Sequence, residues 1–164
     1  MFAAMLERSE ARFRAIEIGL PSWANAEPDR LAFVSNESGV WQVWTLDLAT
    51  GRPDRITNEP LGVARVLMSP DGKIVWWSDP KGDEWGRWMF TRFDGGDPMP
   101  LVPDIDDAWS SGFSLTRGRA AFGQATEEDY AIFVADDDQA PRLVYRHEEV
   151  AGVGHLLPEG TGGI

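Results

Sequence analysis

The sequence predicts an all-β fold: a partial β-propeller of three four-stranded antiparallel blades plus the start of a fourth. Three segments repeat the same order of apolar strands and turns, and their equivalent strand starts, Leu31, Ile74 and Ala120, lie 43 and 46 residues apart. Such a period is typical of propeller blades. The composition agrees, because 17 Gly and 11 Pro supply turns while eight Trp and eight Phe supply large side chains for packed sheets.

The first 20 residues are expected to form an arm of their own, residues 1–20, ahead of a propeller at 21–164. Apolar residues from Phe2 to Ile16 recur near a helical spacing, whereas the run FRAIEIGL alternates as a strand does. We therefore expect a short N-terminal helix followed by an extended entry strand.

The three blades are expected at 22–57, 61–102 and 108–145, with an incomplete fourth at 150–164. Each repeat runs through an apolar strand, a tight turn, a second apolar strand, a polar loop, a strand ending in an acid, another turn and an edge strand. The turn Pro-Asp-Gly-Lys at 70–73 has Gly where a positive φ is needed. Four strands joined by hairpins form an antiparallel meander.

The adjacent Trp76 and Trp77 indicate that the second strand of a blade is covered on both faces, because neighbouring side chains of a strand point in opposite directions. One blade cannot bury two apolar faces alone, so it stacks against a neighbour on each side. We interpret the aromatic residues mainly as packing, with stacking on bases or sugars as the alternative.

The last 14 residues, AGVGHLLPEGTGGI, show the same order of apolar and turn residues as LGVARVLMSPDGKI at 61–74. This alignment pairs Leu156 with Val66. We therefore expect this segment to be the first strand and turn of a further blade in a longer parent protein. Three blades and a fraction should not close into a ring. Self-association, such as a dimer of half-rings, or a missing C-terminal hydrolase domain is expected to cover the bare blade faces.

Three stretches resemble the TolB-like, WD-type propeller repeat: SPDGK at 69–73, LAFVSNESGVWQVWTLDLATG at 31–51 and RIT at 55–57. The first repeat with its lead-in from Leu20 resembles the N-terminal propeller of prolyl oligopeptidase family serine peptidases, particularly the acylaminoacyl-peptidase branch. The resemblance implies that the propeller filters substrates by size, while a C-terminal α/β-hydrolase domain holds the catalytic Ser, Asp and His. The third repeat departs from the pattern because it lacks Ser-Pro-Asp-Gly.

No Gly-x-Ser-x-Gly motif occurs in the sequence, so no catalytic residue is assigned. We expect a non-catalytic propeller fragment that resembles a substrate-gating domain and is no enzyme by itself. One alternative is a protein or peptide interaction module built from propeller blades. Another is a small metal-dependent hydrolase at the propeller axis.

The longest polar loop within a blade lies at 78–88, SDPKGDEWGRW. Loops at one end of a propeller line its central pocket, so Lys81, Trp85 and Arg87 are the candidate ligand-binding residues. In the alternative interpretation, the tryptophans cover the edge of the blade and the charges remain in water.

Neither histidine, His147 or His155, is expected to be catalytic, and His147 is placed in a solvated connection between blades. The acids from Asp104 to Asp107 lack the Gly and the downstream Glu of an EF-hand loop. We therefore expect no metal and no cofactor.

The net charge of −12 argues against nucleic acid and against an anionic membrane surface as partners. The chain contains no Cys, which excludes disulfides and thiolate chemistry. No apolar run approaches the length of a membrane span, and Glu7 and Arg8 interrupt any secretory signal. We expect a cytoplasmic protein, with peptide as a candidate substrate.

Overall fold

The structure is a computed structural model that describes residues 15–137 and 139–157. Within these ranges every element is a strand, and every paired strand is antiparallel. The strands are β1 (Ser22–Ala24), β2 (Glu27–Ser35), β3 (Gln42–Asp47), β4 (Arg52–Arg55), β5 (Val66–Met68), β6 (Lys73–Ser78), β7 (Trp85–Arg92), β8 (Met99–Pro100), β9 (Ala108–Thr116), β10 (Arg119–Ala125), β11 (Tyr130–Asp136) and β12 (Arg142–His147).

These strands form three successive units of four: blade 1 is β1–β4, blade 2 is β5–β8 and blade 3 is β9–β12. Each strand pairs with the next one along the chain within its blade, as in a meander. Blades 2 and 3 are also joined at one edge, where Trp85 pairs with Trp109 and Gly86 with Ala108. The predicted all-β architecture is thereby confirmed.

The lead-in to blade 1 is extended where the structure describes it. Gly19 donates a backbone hydrogen bond to the carbonyl of Val34 at 2.8 Å, and Ile18 forms a bridge with Ser35. The helix was predicted within the arm at 1–20, and residues 1–14 of this arm lie outside the described residues.

Blades 1 and 2 share a core of mainly aliphatic side chains around Trp76, which the alternation of strand residues produces. Ala32 and Val34 of β2 point to the same face and meet the fully buried Trp76 of β6. The buried members of the cluster are Ala24, Ala32, Val34, Val43, Val63, Val66, Met68, Ile74 and Trp76.

Blades 2 and 3 meet through aromatic side chains instead. Trp77, on the opposite face of β6 from Trp76, packs edge-on against Trp88 with ring centroids 5.3 Å apart. Trp88 in turn lies 4.1 Å from the ring of Phe113 in β9. The two neighbouring tryptophans of β6 therefore serve two different blade interfaces, as their adjacency predicts.

The turns follow the sequence pattern. Gly72, in the predicted Pro-Asp-Gly-Lys turn between β5 and β6, has a φ of 86°, a value that residues with a Cβ rarely adopt. The edge strand β8 has only two residues because Pro98 and Pro100 flank Met99 and cannot donate backbone hydrogen bonds. His147 was expected in a connection between blades and is instead the last residue of the strand β12.

The start of the fourth blade lies along β9 of blade 3. The N–H of Val153 donates to the carbonyl of Ser111 at 2.9 Å, and that of Leu156 donates to Oγ of Ser114 at 2.8 Å.

The expected pairing of Leu156 with Val66 is wrong by two residues. Ser22 of β1 accepts a hydrogen bond from the N–H of Met68 at 2.9 Å, as Ser114 of β9 does from Leu156. Ser22 and Ser114 hold the same register position, since they pair with Ala32 and Ala121. Leu156 is therefore equivalent to Met68 and not to Val66. The order of apolar and turn residues in the sequence does not reveal this shift of two residues.

Candidate functional site

The polar loop of blade 2, residues 79–84, is ordered by its own first residue. The carboxylate of Asp79 accepts hydrogen bonds from the N–H groups of Gly82 and Glu84, both at 2.7 Å, and of Lys81 at 3.3 Å. Desolvation would raise the pKa of Asp79, but the backbone hydrogen bonds of this loop together hold that pKa below its ordinary value. The loop is thus a closed turn around an ionised carboxylate.

The three candidate ligand-binding residues occupy different surroundings. Lys81 is exposed in the loop. Trp85 packs edge-on against Trp109 of blade 3 at 4.8 Å. Arg87 forms an ion pair with Asp107 and lines a cavity of about 20 Å³ between blades 2 and 3, which neither Lys81 nor Trp85 lines.

The buried side-chain amide of Gln42 holds in place the connection between blades 1 and 2, the segment between β4 and β5. Gln42, only 1% exposed, donates to the carbonyl of Glu59 at 2.7 Å. Its Oε1 accepts hydrogen bonds from Oγ of Thr57 at 2.7 Å and from the N–H of Glu59 at 3.0 Å. From blade 2, Ser78 donates to the Glu59 carboxylate at 3.0 Å.

Arg87 repeats the position of Gln42 one blade later. Gln42 pairs with Ser35 at the end of β2, and Arg87 pairs with Ser78 at the end of β6. Asp107, the ion-pair partner of Arg87, lies in the connection between blades 2 and 3 as Glu59 does between blades 1 and 2. Arg87 therefore holds the connection between blades 2 and 3 against β7 through its ion pair with Asp107. In the sequence, this role is indicated when equivalent strand positions of the repeats are compared.

The same connection is held from the other side by blade 3. Gln124, at the register position of Ser78, donates to the carbonyl of Asp106 at 2.8 Å. The connections between blades 1 and 2 and between blades 2 and 3 are therefore both held by the start of the third strand of the preceding blade and by the end of the second strand of the following blade. In blade 3 the position of Gln42 and Arg87 is occupied by Ala131, which cannot form this contact.

A cleft of about 500 Å³ opens between blades 2 and 3 at the end where the tight turns lie. Apolar side chains of both blades form its floor, and charged side chains at the turns, at the adjoining strand ends and in the connection between the blades form its rim. Two ion pairs stand at this rim, Lys73 with Asp137 and Arg119 with Asp136. The cleft was not predictable from the sequence because its walls come from segments far apart in the chain. The floor consists of Phe90, Leu101, Val102, Leu115, Ala120, Ala135 and Pro141.

The carboxylate clusters and histidines do not converge on one centre. Within residues 15–137 and 139–157, no group of three His, Asp or Glu side chains is arranged to hold a metal ion. His147 is exposed, and its Nδ1 accepts a hydrogen bond from the N–H of Glu149 at 3.0 Å. The same described ranges contain no helix that could cross a lipid bilayer.

Comparison with known proteins identifies the fold but no sequence family. No family model matches the chain, and no curated protein matches it. Among solved structures, a TolB-like protein from Agrobacterium tumefaciens matches 78% of this chain and 50% of its own, with 17% identity and a TM-score of 0.58. TolB from Acinetobacter baumannii matches 76% of this chain and 30% of its own, with 19% identity and a TM-score of 0.51.

A third match is an oligogalacturonate lyase in complex with manganese, with 10% identity and a TM-score of 0.63. It covers 88% of this chain and 45% of the lyase. The chain thus spans half or less of each of these proteins. These likenesses show that it has the fold of a TolB-like β-propeller.

Proposed function

We propose that this chain is a non-catalytic propeller module that recognises peptide or protein. The observation that supports this function is the exposure of large apolar side chains at both ends of the blade stack. Beside blade 1, Leu20 is 93% exposed and Trp23 is 48% exposed; beside the start of the fourth blade, Val150 is 84% and Leu157 70% exposed. Large apolar side chains are typical of interaction sites where they form a contiguous exposed surface.

The more specific form of the proposal is a substrate-gating propeller of a prolyl oligopeptidase family serine peptidase. Its support is the sequence resemblance of the first repeat and its lead-in. In that arrangement the exposed ends of the stack contact further blades or a hydrolase domain. Catalysis then belongs to the hydrolase domain, and this chain contributes selection of the substrate.

A retention experiment tests the proposal. The purified chain is immobilised and exposed to a library of N-acetylated hexapeptides, and bound and unbound peptides are identified by mass spectrometry. We expect a subset of the peptides to be retained intact. Cleaved peptides would contradict a non-catalytic module, and the absence of any retention would contradict peptide recognition.

Matched variants locate the binding surface. Leu20→Asp and Leu157→Asp place a charge at the two ends of the stack and are expected to reduce retention, because they disrupt exposed apolar surface without touching a buried core. Asp97→Asn alters an exposed residue elsewhere and serves as the control.

The metal-dependent alternative has its own test. One structural neighbour was solved with manganese, which concerns that protein and adds only the fold here. A rise of the melting temperature with MnCl₂ or CaCl₂, absent with MgCl₂ at equal ionic strength, would favour a metal site over the binding module.

A further inference from the structure

The cleft between blades 2 and 3 has the dimensions of a ligand site. Its volume of about 500 Å³ falls within the roughly 300–1,000 Å³ of small-molecule pockets. Three turns surround it: β5–β6 of blade 2, and β9–β10 and β11–β12 of blade 3. The start of the connection between the blades, residues 101–104, closes one side.

The floor of the cleft is apolar and firmly packed. Val102 is 9% exposed and Ala120 is 4% exposed, so these side chains belong to the interior of the blade pair. Phe90 of β7 and Leu115 of β9 extend the floor on either side. An aliphatic chain lying on this surface would be shielded from water, which favours binding in proportion to the area covered.

The rim carries more negative than positive charge. Lys73 is paired with Asp137 and Arg119 with Asp136, so both cations of the rim already face carboxylates. Asp71 and Asp104 also line the cleft, and neither takes part in an ion pair with another described residue. The surplus charge over the apolar floor is therefore negative.

We propose that this cleft binds an aliphatic cation, namely an ammonium or guanidinium group at the end of an apolar stem, as in a Lys or Arg side chain of a partner peptide. The stem lies on the apolar floor, and the cationic head stays at the rim near Asp71 and Asp104, the arrangement that amphipathic side chains prefer. An anionic head would face the surplus carboxylates, and a neutral head would lose their attraction.

Three probes with the same stem test the proposal: hexylammonium chloride, 1-hexanol and sodium hexanoate. Each is titrated into the ¹⁵N-labelled chain, and the backbone amides of Gly72 and Gly118 report on the rim. We expect saturable shifts with hexylammonium, binding weaker by about fivefold or more with hexanol because the ion attraction is lost, and none with hexanoate. Equal binding of hexanol and hexylammonium would overturn the proposal.

Two variants separate a built site from general attraction to an acidic protein. The double variant Asp71→Asn/Asp104→Asn is expected to weaken hexylammonium binding by about fivefold. Asp97→Asn, which removes an exposed acid outside the cleft, is expected to leave it unchanged. Equal weakening by both variants would show that the net charge of the chain, and not the cleft, attracts the cation.

A steric variant tests the floor. Ala140 is exposed and lines the mouth of the cleft, so Ala140→Leu fills part of the volume without disturbing a buried core. Hexylammonium binding is expected to fall while the melting temperature stays the same. Hexylammonium binding tests residues of the cleft, whereas peptide retention tests Leu20 and Leu157 at the ends of the stack. Either result can therefore fail without the other, and the two experiments share only the control Asp97→Asn.

Discussion

At the scale of single residues, Gln42 shows how one buried side chain can hold two blades together. Its amide both donates a hydrogen bond to the backbone of Glu59 and accepts one from it. The amide oxygen also accepts a hydrogen bond from the hydroxyl of Thr57. The hydroxyl oxygen of Thr57 accepts a hydrogen bond from the N–H of Val43 at 2.8 Å. This bond links the connection between the blades back to β3. Gln42, Val43 and Thr57 are buried and Glu59 is partly buried, so the loss of the Gln42 amide leaves several polar groups without that partner.

Replacing Gln42 with Met keeps the side-chain length and removes the amide. We expect Gln42→Met to lower the free energy of unfolding by about 2 kcal/mol, because the buried hydroxyl of Thr57 and the partly buried backbone groups of Glu59 then lose their partner. Chemical denaturation monitored by tryptophan fluorescence measures the change.

Gln124→Met provides the matched control, since Gln124 makes a single, more exposed hydrogen bond at the next connection. It is expected to cost less than about 1 kcal/mol. Equal effects of the two variants would contradict a special role for burial at Gln42.

Asp79 gives a prediction on pH. Its pKa lies below the ordinary value of 3.8, so the loop stays ordered as the pH falls past that value. Its contribution to stability is fully present above the ordinary pKa and is lost only as the pH falls through the lower folded pKa. We expect the carboxyl ¹³C signal of Asp79 to titrate with a midpoint below 3.8.

Asp79→Asn should abolish this dependence and speed up hydrogen exchange of the Gly82 and Glu84 amides at neutral pH, since it removes the charge of their acceptor. A carboxyl midpoint at or above the ordinary value would contradict the loop geometry.

The candidate site was only partly predictable from residue types. Polar and aromatic side chains in a long loop indicated ligand contact for Lys81, Trp85 and Arg87. The role of Arg87 depends on Asp107, which a connection 20 residues away brings to it. Such a partner is set by register and by the path of the connection, neither of which the loop sequence contains.

At the scale of elements, two ion pairs link successive blades in the same way. A basic residue of the second strand pairs with the last residue of the third strand in each blade: Arg30, Lys73 and Arg119. Arg30 and Lys73 each reach an acid in the turn after the third strand of the following blade. Arg30 contacts Asp94 at 3.4 Å, and Lys73 contacts Asp137. The partners lie 64 residues apart in both pairs, although Asp94 is the second residue after β7 and Asp137 the first residue after β11.

A double-mutant cycle on Lys73→Met and Asp137→Asn measures the pair between blades 2 and 3. We expect a coupling of about 0.5–1 kcal/mol, because both side chains are partly exposed and salt screens them. The same cycle on Arg30 and Asp94 should give a smaller value, since Asp94 is 78% exposed. A coupling that does not fall in 1 M NaCl would argue against an ion pair.

The blades themselves were predictable because their signal is periodic. Apolar strands and turns recur at a nearly fixed spacing, and the adjacent Trp76 and Trp77 indicate a strand covered on both faces. The limits of the strands were less predictable. The shortness of β8 follows from prolines, but the place of Leu156 follows from a hydrogen bond to Ser114, which only the folded chain displays.

At the scale of the whole molecule, the blade stack has two ends with exposed apolar side chains. We expect the 18.2 kDa chain to self-associate, so that sedimentation equilibrium gives a mass that rises with concentration. Leu20→Asp combined with Leu157→Asp should shift the distribution towards the monomer. A monomer at all concentrations for the unmodified chain would contradict this expectation.

The ion pairs between successive blades have an evolutionary consequence. Each pair needs a basic residue in one unit and an acid in the turn after the third strand of the next unit, and blade 1 has no acid in its own turn at 48–51. A copy of blade 2 inserted after blade 1 or blade 2 would therefore bring both partners to the new junction, whereas a second copy of blade 1 would need a new acid in that turn.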